Sequence, residues 1–136
     1  MSIQKLGLIA VALTAFSAPA FAQGDAVAGA AVFKRCASCH AVGEGAKNKV
    51  GPELNGIVGR VAGTAPDYKY SQAMIDAGTG GVTWTSEELH IFLENPKALV
   101  AGTKMSFPGL KKPAERDNVI AYLETFAADG TPAPAQ

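Results

Sequence analysis

The sequence predicts an all-α fold of one domain. Apolar residues recur at steps of three and four in three segments, 24–35, 85–95 and 113–126, as they do on one face of a helix. At or near its start, each segment has a capping residue or a proline, which favour the beginning of a helix. No segment has the alternating pattern of a strand, no internal repeat is visible, and 136 residues suit a single domain.

Residues 1–22 are typical of a secretory signal peptide. Lys5 gives a positive start, an apolar run follows over 6–16, and Ala20-Phe21-Ala22 is a small-residue cleavage signal. The run is shorter than the roughly 20 residues that a membrane span needs, and an uncleaved anchor is the alternative. The leader has no arginine, unlike a mitochondrial transit peptide. We therefore expect export, most simply to a bacterial periplasm, with no membrane insertion after cleavage.

The mature chain is predicted to be a domain over 23–127 with a disordered tail over 128–136, which is rich in alanine and proline. Twelve basic residues balance twelve acidic ones in the full chain, which gives no support to nucleic-acid binding. Several basic residues lie near the motifs described below, and they either surround one site or belong to an ordinary solvated surface. These are Arg35, Lys47, Lys49, Lys97, Lys104, Lys111 and Lys112.

The first predicted helix runs from Gly24 to Arg35. Asp25 is a suitable N-cap, and Phe33 follows Gly29 by one turn, where the missing side chain can let another helix approach. The helix leads directly into Cys36-Ala37-Ser38-Cys39-His40. It therefore connects this motif to the core of the domain.

The motif C-x-x-C-H is typical of covalent haem attachment, because two thiols can bond the two vinyl groups while the histidine reaches the iron. A thiol–disulfide centre also uses C-x-x-C, but it does not need His40. A zinc site needs two more ligands, and the sequence offers only His90 besides. A disulfide between Cys36 and Cys39 would close a loop too short to stabilise much. A chance match is the remaining alternative, and haem is the use that we predict.

Gly51-Pro52 supplies an acceptor for the histidine of the motif. Proline keeps its carbonyl oxygen, and a ligating histidine usually donates its second ring nitrogen to such an oxygen. We therefore predict a hydrogen bond from His40 to the carbonyl of Pro52. Without that contact, Gly-Pro would be only a turn.

A short helix is predicted after Ser71 as N-cap, running through Asp76 and Ala77 and closed by Gly78. Trp84 is the only tryptophan. If it is buried, its indole N–H needs a partner, which a haem propionate could provide.

The next helix is predicted from a capping box, with Thr85 as N-cap and Glu88 three residues later. It should end at Asn95, before Pro96. His90 does not share the apolar face of this helix, and we therefore predict a solvated surface residue.

Residues 98–108 are predicted to form a loop that carries Met105. A thioether is a soft ligand suited to haem iron opposite a histidine. Met74, inside the short helix, is predicted to fill the core. The last helix should have Pro113 in its first turn. Its apolar face, which is predicted to pack against Gly29 and Phe33, consists of Val119, Ile120, Leu123 and Phe126.

Together these segments resemble class I cytochrome c, a family of soluble electron carriers of mitochondria and bacteria. The likeness covers about 24–126, and its markers follow the family's order: CASCH, GPELNGIVGR, YKYSQAM, GVTW, LENPKALVAGTKM and ERDNVIAYL. The resemblance implies an all-α class I cytochrome c fold, in which the first and last helices cross beside one covalent haem c. It places that crossing at Gly29, Phe33, Val119 and Tyr122.

The resemblance also implies roles for individual residues. Cys36 and Cys39 would form thioethers to haem, His40 and Met105 would be the axial ligands, and Pro52 would orient His40. The other implied haem contacts are Tyr70, Trp84 and Arg60 near a buried propionate, Leu54, Leu93 and Phe107 against the ring, and Thr103 in the ligand loop.

Two positions depart from the mitochondrial pattern. Phe92 stands where a tyrosine usually contacts the methionine sulfur, and Met74 replaces an asparagine that helps to hold a water. Both changes remove polar partners near the haem. The segment 79–81 resembles a small insertion in a surface loop.

The function that the resemblance implies is one-electron transfer by a monomer. Its partners would be membrane redox complexes, such as a quinol-oxidising complex, a terminal oxidase or a photosynthetic reaction centre. An iron with six ligands has no open position for a substrate, which argues against an enzyme. The alternative is a haem-based enzyme or gas sensor in which Met105 dissociates, and Phe92 makes this easier because the tyrosine contact is missing.

Overall fold

A computed structural model describes residues 23–134 as a bundle of short helices joined by long loops. The helices are α1 Ala26–Phe33, α2 Gln72–Thr79, α3 Ser86–Glu94, α4 Pro96–Leu99 and α5 Pro113–Glu124. These residues contain no strand, only two isolated bridges. The all-α prediction is therefore confirmed, while the predicted signal peptide lies outside the described residues.

The predicted N-caps are present at the starts of three helices. The Asp25 carboxylate accepts hydrogen bonds from the first turn of α1, and Ser71 caps α2. At α3, Thr85 Oγ1 accepts from the Glu88 N–H at 3.2 Å. The Thr85 N–H donates to the Thr83 carbonyl instead, and Glu88 Oε2 is buried without a partner. The predicted capping box is therefore only half formed.

Helices α1 and α5 cross closely, as predicted. A Cβ at Gly29 would overlap the Asn118 carbonyl of α5, so only glycine permits this approach. The Phe33 and Tyr122 rings lie 5.4 Å apart between centroids, and the Asp25 N–H donates to Asn118 Oδ1 at 2.8 Å. The two ends of the domain are thus joined beside the segment that follows α1.

Several element boundaries differ from the prediction, including those of α1, which spans only Ala26–Phe33. Helix α2 does not close at Gly78 but continues to Thr79, with Gly80 as its C-cap. Gly78 is buried, and a Cβ there would overlap the Ala62 carbonyl, so this glycine serves packing rather than termination. Helix α4 occupies part of the predicted loop over 98–108, because Pro96 occupies its first turn and favours helix initiation there.

The prediction that His90 is a solvated surface residue is wrong. Its side chain is only 16% exposed, and Nε2 lies 2.8 Å from the Asp117 carboxylate. The Arg116 Nε donates to His90 Nδ1 at 3.4 Å. The physical reason is that α5 packs against α3 and brings Asp117 and Arg116 to the face of α3 that carries His90. The sequence of α3 alone does not reveal that this face is covered.

The segment after α5, which includes the predicted tail, forms backbone contacts in the part that the structure describes, as far as residue 134. The Ala127 N–H donates to the Thr131 carbonyl, and the Ala133 N–H to the Thr125 carbonyl, both at 2.8 Å. Gly130 packs so closely on the Gly43 carbonyl that a Cβ would overlap it. The composition is that of a flexible tail, but these backbone hydrogen bonds form a turn against the domain.

Candidate cofactor site

A cavity of about 480 Å³ lies inside the domain, and its walls include all twelve residues that the sequence and the resemblance assign to a haem site. These are Cys36, Cys39, His40, Pro52, Leu54, Arg60, Tyr70, Trp84, Leu93, Thr103, Met105 and Phe107. A volume of this size is typical of cofactor pockets. The structure therefore brings residues from the whole length of the domain to one site.

The C-x-x-C-H motif continues from α1 in a tight turn. The Cys39 and His40 N–H groups donate to the Cys36 carbonyl at 3.0 and 2.9 Å. Both thiols are free and half-buried. Burial raises the pKa of the Cys36 thiol, an effect that the charge of Arg35 opposes. Two thiols and an imidazole are thus presented along one wall of the cavity.

The His40 ring is held in one orientation. Its Nδ1 lies 2.7 Å from the Pro52 carbonyl oxygen, which is the predicted contact, so Nδ1 carries the proton and donates. The free lone pair is then on Nε2. Burial lowers the pKa of His40, the Pro52 hydrogen bond opposes this, and Lys49 adds to it. The neutral imidazole is the form that binds a metal.

The residue before the proline completes this arrangement. A Cβ at Gly51 would overlap the His40 ring, and the Gly51 N–H donates to the Cys39 carbonyl at 2.8 Å. The loop therefore lies directly against the imidazole, which fixes the ring by packing as well as by hydrogen bonding.

Met105 lies on the loop between α4 and α5, half-buried at the cavity wall. Thr103 Oγ1 accepts from the Met105 N–H at 3.3 Å, and the Lys104 ammonium donates to the Lys69 carbonyl at 2.7 Å. At the far end of the loop, the Leu110 N–H donates to the Leu93 carbonyl at 2.7 Å. The thioether is thus carried by a loop that is anchored on both sides.

A group of polar donors lies in another part of the cavity wall. Arg60 donates through Nη1 and Nη2 to the carbonyls of Asn55 and Glu53, both at 3.2 Å, and its Nε is buried without a partner. The Tyr70 hydroxyl accepts from the Ala65 N–H at 3.1 Å and still has its own proton to donate. Burial raises the pKa of Tyr70, which keeps that proton in place.

These donors test whether the site fits a haem. A buried donor without a partner is costly, and a carboxylate would satisfy both Arg60 Nε and the Tyr70 hydroxyl. A haem carries two such carboxylates on an otherwise apolar ring. The remaining wall is largely apolar and includes buried Trp84 and Leu93. The residues present therefore fit the group that the C-x-x-C-H motif predicts.

Sequence reasoning missed several residues of the wall, among them Tyr68. Its hydroxyl donates to the Val50 carbonyl at 2.6 Å, its ring lies 4.8 Å from that of Tyr70, and the Lys104 ammonium lies 5.8 Å from its centroid. The sequence contained a sign of this role, because two tyrosines separated by one lysine point to the same side of an extended chain, so Tyr68 should lie beside Tyr70.

The two departures from the mitochondrial pattern both lie at the site. Phe92 and Met74 are buried and line the cavity, and the Phe92 ring lies 4.8 Å from that of Trp84. The substitutions therefore place apolar atoms at the cavity wall, where the mitochondrial pattern has polar ones.

The described residues contain neither a cluster of metal-binding side chains nor a membrane-spanning helix. Within residues 23–134, no group of three or more histidine, cysteine, aspartate or glutamate side chains is placed to hold a metal ion. In the same part of the chain, no helix combines the length and the apolar character that crossing a membrane requires.

Comparison with known proteins gives the family. The family model described as Cytochrome c matches residues 26–127. Cytochrome c2 from Afifella marina is 57% identical over 112 residues, covering 82% of this chain and 90% of the relative. Cytochrome c2 from Agrobacterium tumefaciens (strain II Chrys) is 58% identical over 111 residues, covering 82% of this chain and 99% of the relative.

The solved structure of cytochrome c2 from Rhodospirillum centenum superposes with a TM-score of 0.74 at 42% identity, covering 76% of this chain and 99% of that one. The sequence, the cavity and the fold thus agree with the same assignment. The chain belongs to the cytochrome c family, as a class I cytochrome c that carries one covalently bound haem c and transfers electrons.

Proposed function

We propose that this cytochrome is a periplasmic carrier in which His40 and Met105 are the axial ligands and Cys36 and Cys39 the covalent attachment points. The observation that carries the proposal is the convergence on one cavity of an imidazole oriented by Pro52 and a thioether on an anchored loop. The bound haem supplies an iron that cycles between Fe(III) and Fe(II), which changes the charge of the site by one.

The chain's own residues set the conditions for that change. A methionine ligand favours Fe(II), and a wall of buried apolar side chains disfavours the more highly charged oxidised site. Arg60, Tyr70 and Trp84 would hold the carboxylates of the group, and Leu54, Leu93 and Phe107 would pack on its ring, with Thr103 supporting the Met105 backbone. Together these residues favour a carrier with a raised reduction potential.

The proposed partners are membrane redox complexes, such as a quinol-oxidising complex, a terminal oxidase or a photosynthetic reaction centre. Lys49 and Lys104 are exposed and close to the cavity, since one neighbours Val50 and the other Met105. Brief contacts between a monomer and its partners would use a small, wet interface steered by such charges. The signal-peptide pattern supports a periplasmic location.

We propose further that the protein is not an enzyme, because His40 and Met105 would leave no position for a substrate. The enzyme or sensor alternative requires Met105 to leave, which the hydrogen bonds of Thr103, Lys104 and Leu110 oppose. An absorbance band from sulfur–iron ligation that survives added cyanide would exclude it in practice.

The test is the visible spectrum of the protein produced in a host with haem-attachment machinery. We expect covalent haem and a weak red band from sulfur ligation in the oxidised form. Met105→Leu should keep the haem and lose the band, whereas Met74→Leu, at the other methionine in the cavity wall, should keep both. A band that survives in Met105→Leu would refute Met105 as the ligand. Mass spectrometry of the secreted protein tests cleavage before Gln23.

A further inference from the structure

Glu53 forms a largely buried ion pair with Arg60. The carboxylate Oε1 lies 3.5 Å from Arg60 Nη1, and the exposed fractions of the two side chains are 17% and 16%. Arg60 Nη2 also donates to the backbone carbonyl of Glu53 at 3.2 Å. Both the charge and the backbone of Glu53 therefore contact the guanidinium.

The carboxylate is held in place from several directions. Its Oε2 accepts from the Asn55 N–H at 2.7 Å, and the Glu53 N–H donates to Asn48 Oδ1 at 2.9 Å. Asn55 is itself buried and bonded to Gly43 in both directions. Glu53 is thus a fixed negative charge beside Arg60.

Arg60 faces the haem site, and this makes the fixed charge relevant to it. The guanidinium lines the cavity and has a buried Nε without a partner, whereas Glu53 is not part of the cavity wall. A positive charge at the site favours the reduced haem, whose charge is lower by one, and a negative charge favours the oxidised haem. Water screens such effects weakly at largely buried groups.

We propose that Glu53 is a charge partner that positions Arg60 and partly cancels its charge, so that it lowers the reduction potential of the haem. The inference rests on the proposed function in placing the haem carboxylates at Arg60. It does not depend on whether Met105 is the sixth ligand.

The experiment is potentiometric titration of the holoprotein and of its Glu53→Gln variant. Glutamine keeps the shape and can still accept from the Asn55 N–H, but it carries no charge. We expect the reduction potential of the variant to rise. The equilibrium constant for its reduction by a reference redox protein should increase by on the order of tenfold, which is the effect of a unit charge about 10 Å away at an effective dielectric of about 20. Glu44→Gln removes an exposed carboxylate from a nearby loop and should shift the potential less.

The dependence of the potential shift on ionic strength distinguishes the two variants further. The shift of Glu44→Gln should shrink as ionic strength rises, while that of Glu53→Gln should persist. Arg60→Gln should lower the potential, and the double variant Glu53→Gln/Arg60→Gln should lie between the two single ones. If Arg60→Gln does not fold because it leaves a buried carboxylate unpaired, the effect of removing Arg60 is measured instead by comparing the double variant with Glu53→Gln alone.

The outcomes distinguish this inference from the proposed ligand set. A potential that falls in Glu53→Gln, or that rises no more than in Glu44→Gln, overturns the role of Glu53. Absence of the sulfur–iron band from the wild-type spectrum would overturn Met105 as a ligand, but the comparison of potentials between Glu53→Gln and the wild type would still be valid. A raised potential with the band retained in both variants supports the inference.

Discussion

Gly51 shows how much of the site depends on one missing side chain. In Gly51→Ala, the new Cβ would overlap the His40 ring, which cannot move without losing its bond to Pro52. We expect a lower yield of haem-loaded protein and a loss of about 1–3 kcal/mol of stability, as in overpacked cores. Visible absorbance per mole of protein and urea denaturation measure the two effects.

A matched variant separates this overlap from a general effect of alanine in a glycine loop. Gly45→Ala places its Cβ in open space, although the positive φ of 72° makes it unfavourable by roughly 1 kcal/mol. Its haem content should equal that of the wild type. Equal haem loading in Gly51→Ala would contradict the packing role of Gly51.

At the scale of helices and loops, Arg116 ties α5 to the loop that carries Met105. The buried guanidinium donates to the Leu110 carbonyl at 2.6 Å, and its Nη2 lies 3.7 Å from the Glu94 carboxylate. In Arg116→Met, the carbonyl loses a charged donor, which should cost about 1.5–3 kcal/mol. Urea denaturation measures the loss, and amide hydrogen exchange should accelerate at Met105.

The neighbouring Lys111 provides the control. Its exposed ammonium donates to the Glu94 carbonyl at 2.8 Å, where water can replace it. Lys111→Met should therefore cost less than about 1 kcal/mol. Equal losses in the two variants would show that burial of Arg116 does not matter.

The ion pair between Arg35 and Glu115 connects the end of α1 to the start of α5 and predicts a pH dependence. The Arg35 guanidinium, 2.7 Å from the carboxylate, holds the pKa of Glu115 below its ordinary value of 4.5. Because the folded pKa is the lower one, the stabilisation is complete above the ordinary value and is lost as the pH falls through the folded one.

Glu115→Gln should consequently lower the thermal midpoint at neutral pH. In strong acid it should leave the midpoint unchanged, because Glu115 of the wild type is then protonated and the ion pair is missing from both proteins. Calorimetry at several pH values gives the comparison. A difference between Glu115→Gln and the wild type that persists in strong acid would show that packing, rather than charge, accounts for it.

Local signals predicted most of these elements. The caps at Asp25, Ser71 and Thr85 needed only neighbouring residues, because a side-chain oxygen and the next turn suffice. The partners of His90 could not be predicted, since Asp117 lies on another helix. The role of Gly78 could not be predicted for a similar reason. A glycine at this point of the sequence suggests the end of a helix, but in the structure Gly78 is needed because it packs against the Ala62 carbonyl.

At the site, spacing and residue type together with the resemblance predict which residues attach and ligate the haem, because the C-x-x-C-H chemistry is local, and these assignments remain proposals. Glu53 could not be assigned in this way. Its importance depends on the distance to Arg60, which only the folded loop defines.

For the whole molecule, the cavity predicts what removal of haem would do. Without haem, the largely apolar walls of the cavity of about 480 Å³ would lose the packing that the ring provides and would be exposed to water. The variant Cys36→Ala/Cys39→Ala, produced without haem, should keep part of its far-ultraviolet circular dichroism. It should lose the near-ultraviolet signal of Trp84 and bind a hydrophobic dye. A sharp, cooperative unfolding transition of this variant would contradict the prediction.

The crossing of α1 and α5 also has a consequence for the order of events during biosynthesis. Asp25 and Asn118, which are hydrogen-bonded there, lie 93 residues apart, and closing such a loop costs on the order of 4 kcal/mol in chain entropy. Helix α5 begins at Pro113, far beyond the cysteine motif in the chain, so the domain can close only after nearly all of it has been delivered. Until then Cys36, Cys39 and His40 belong to an open chain, so haem can be attached before the domain closes around it.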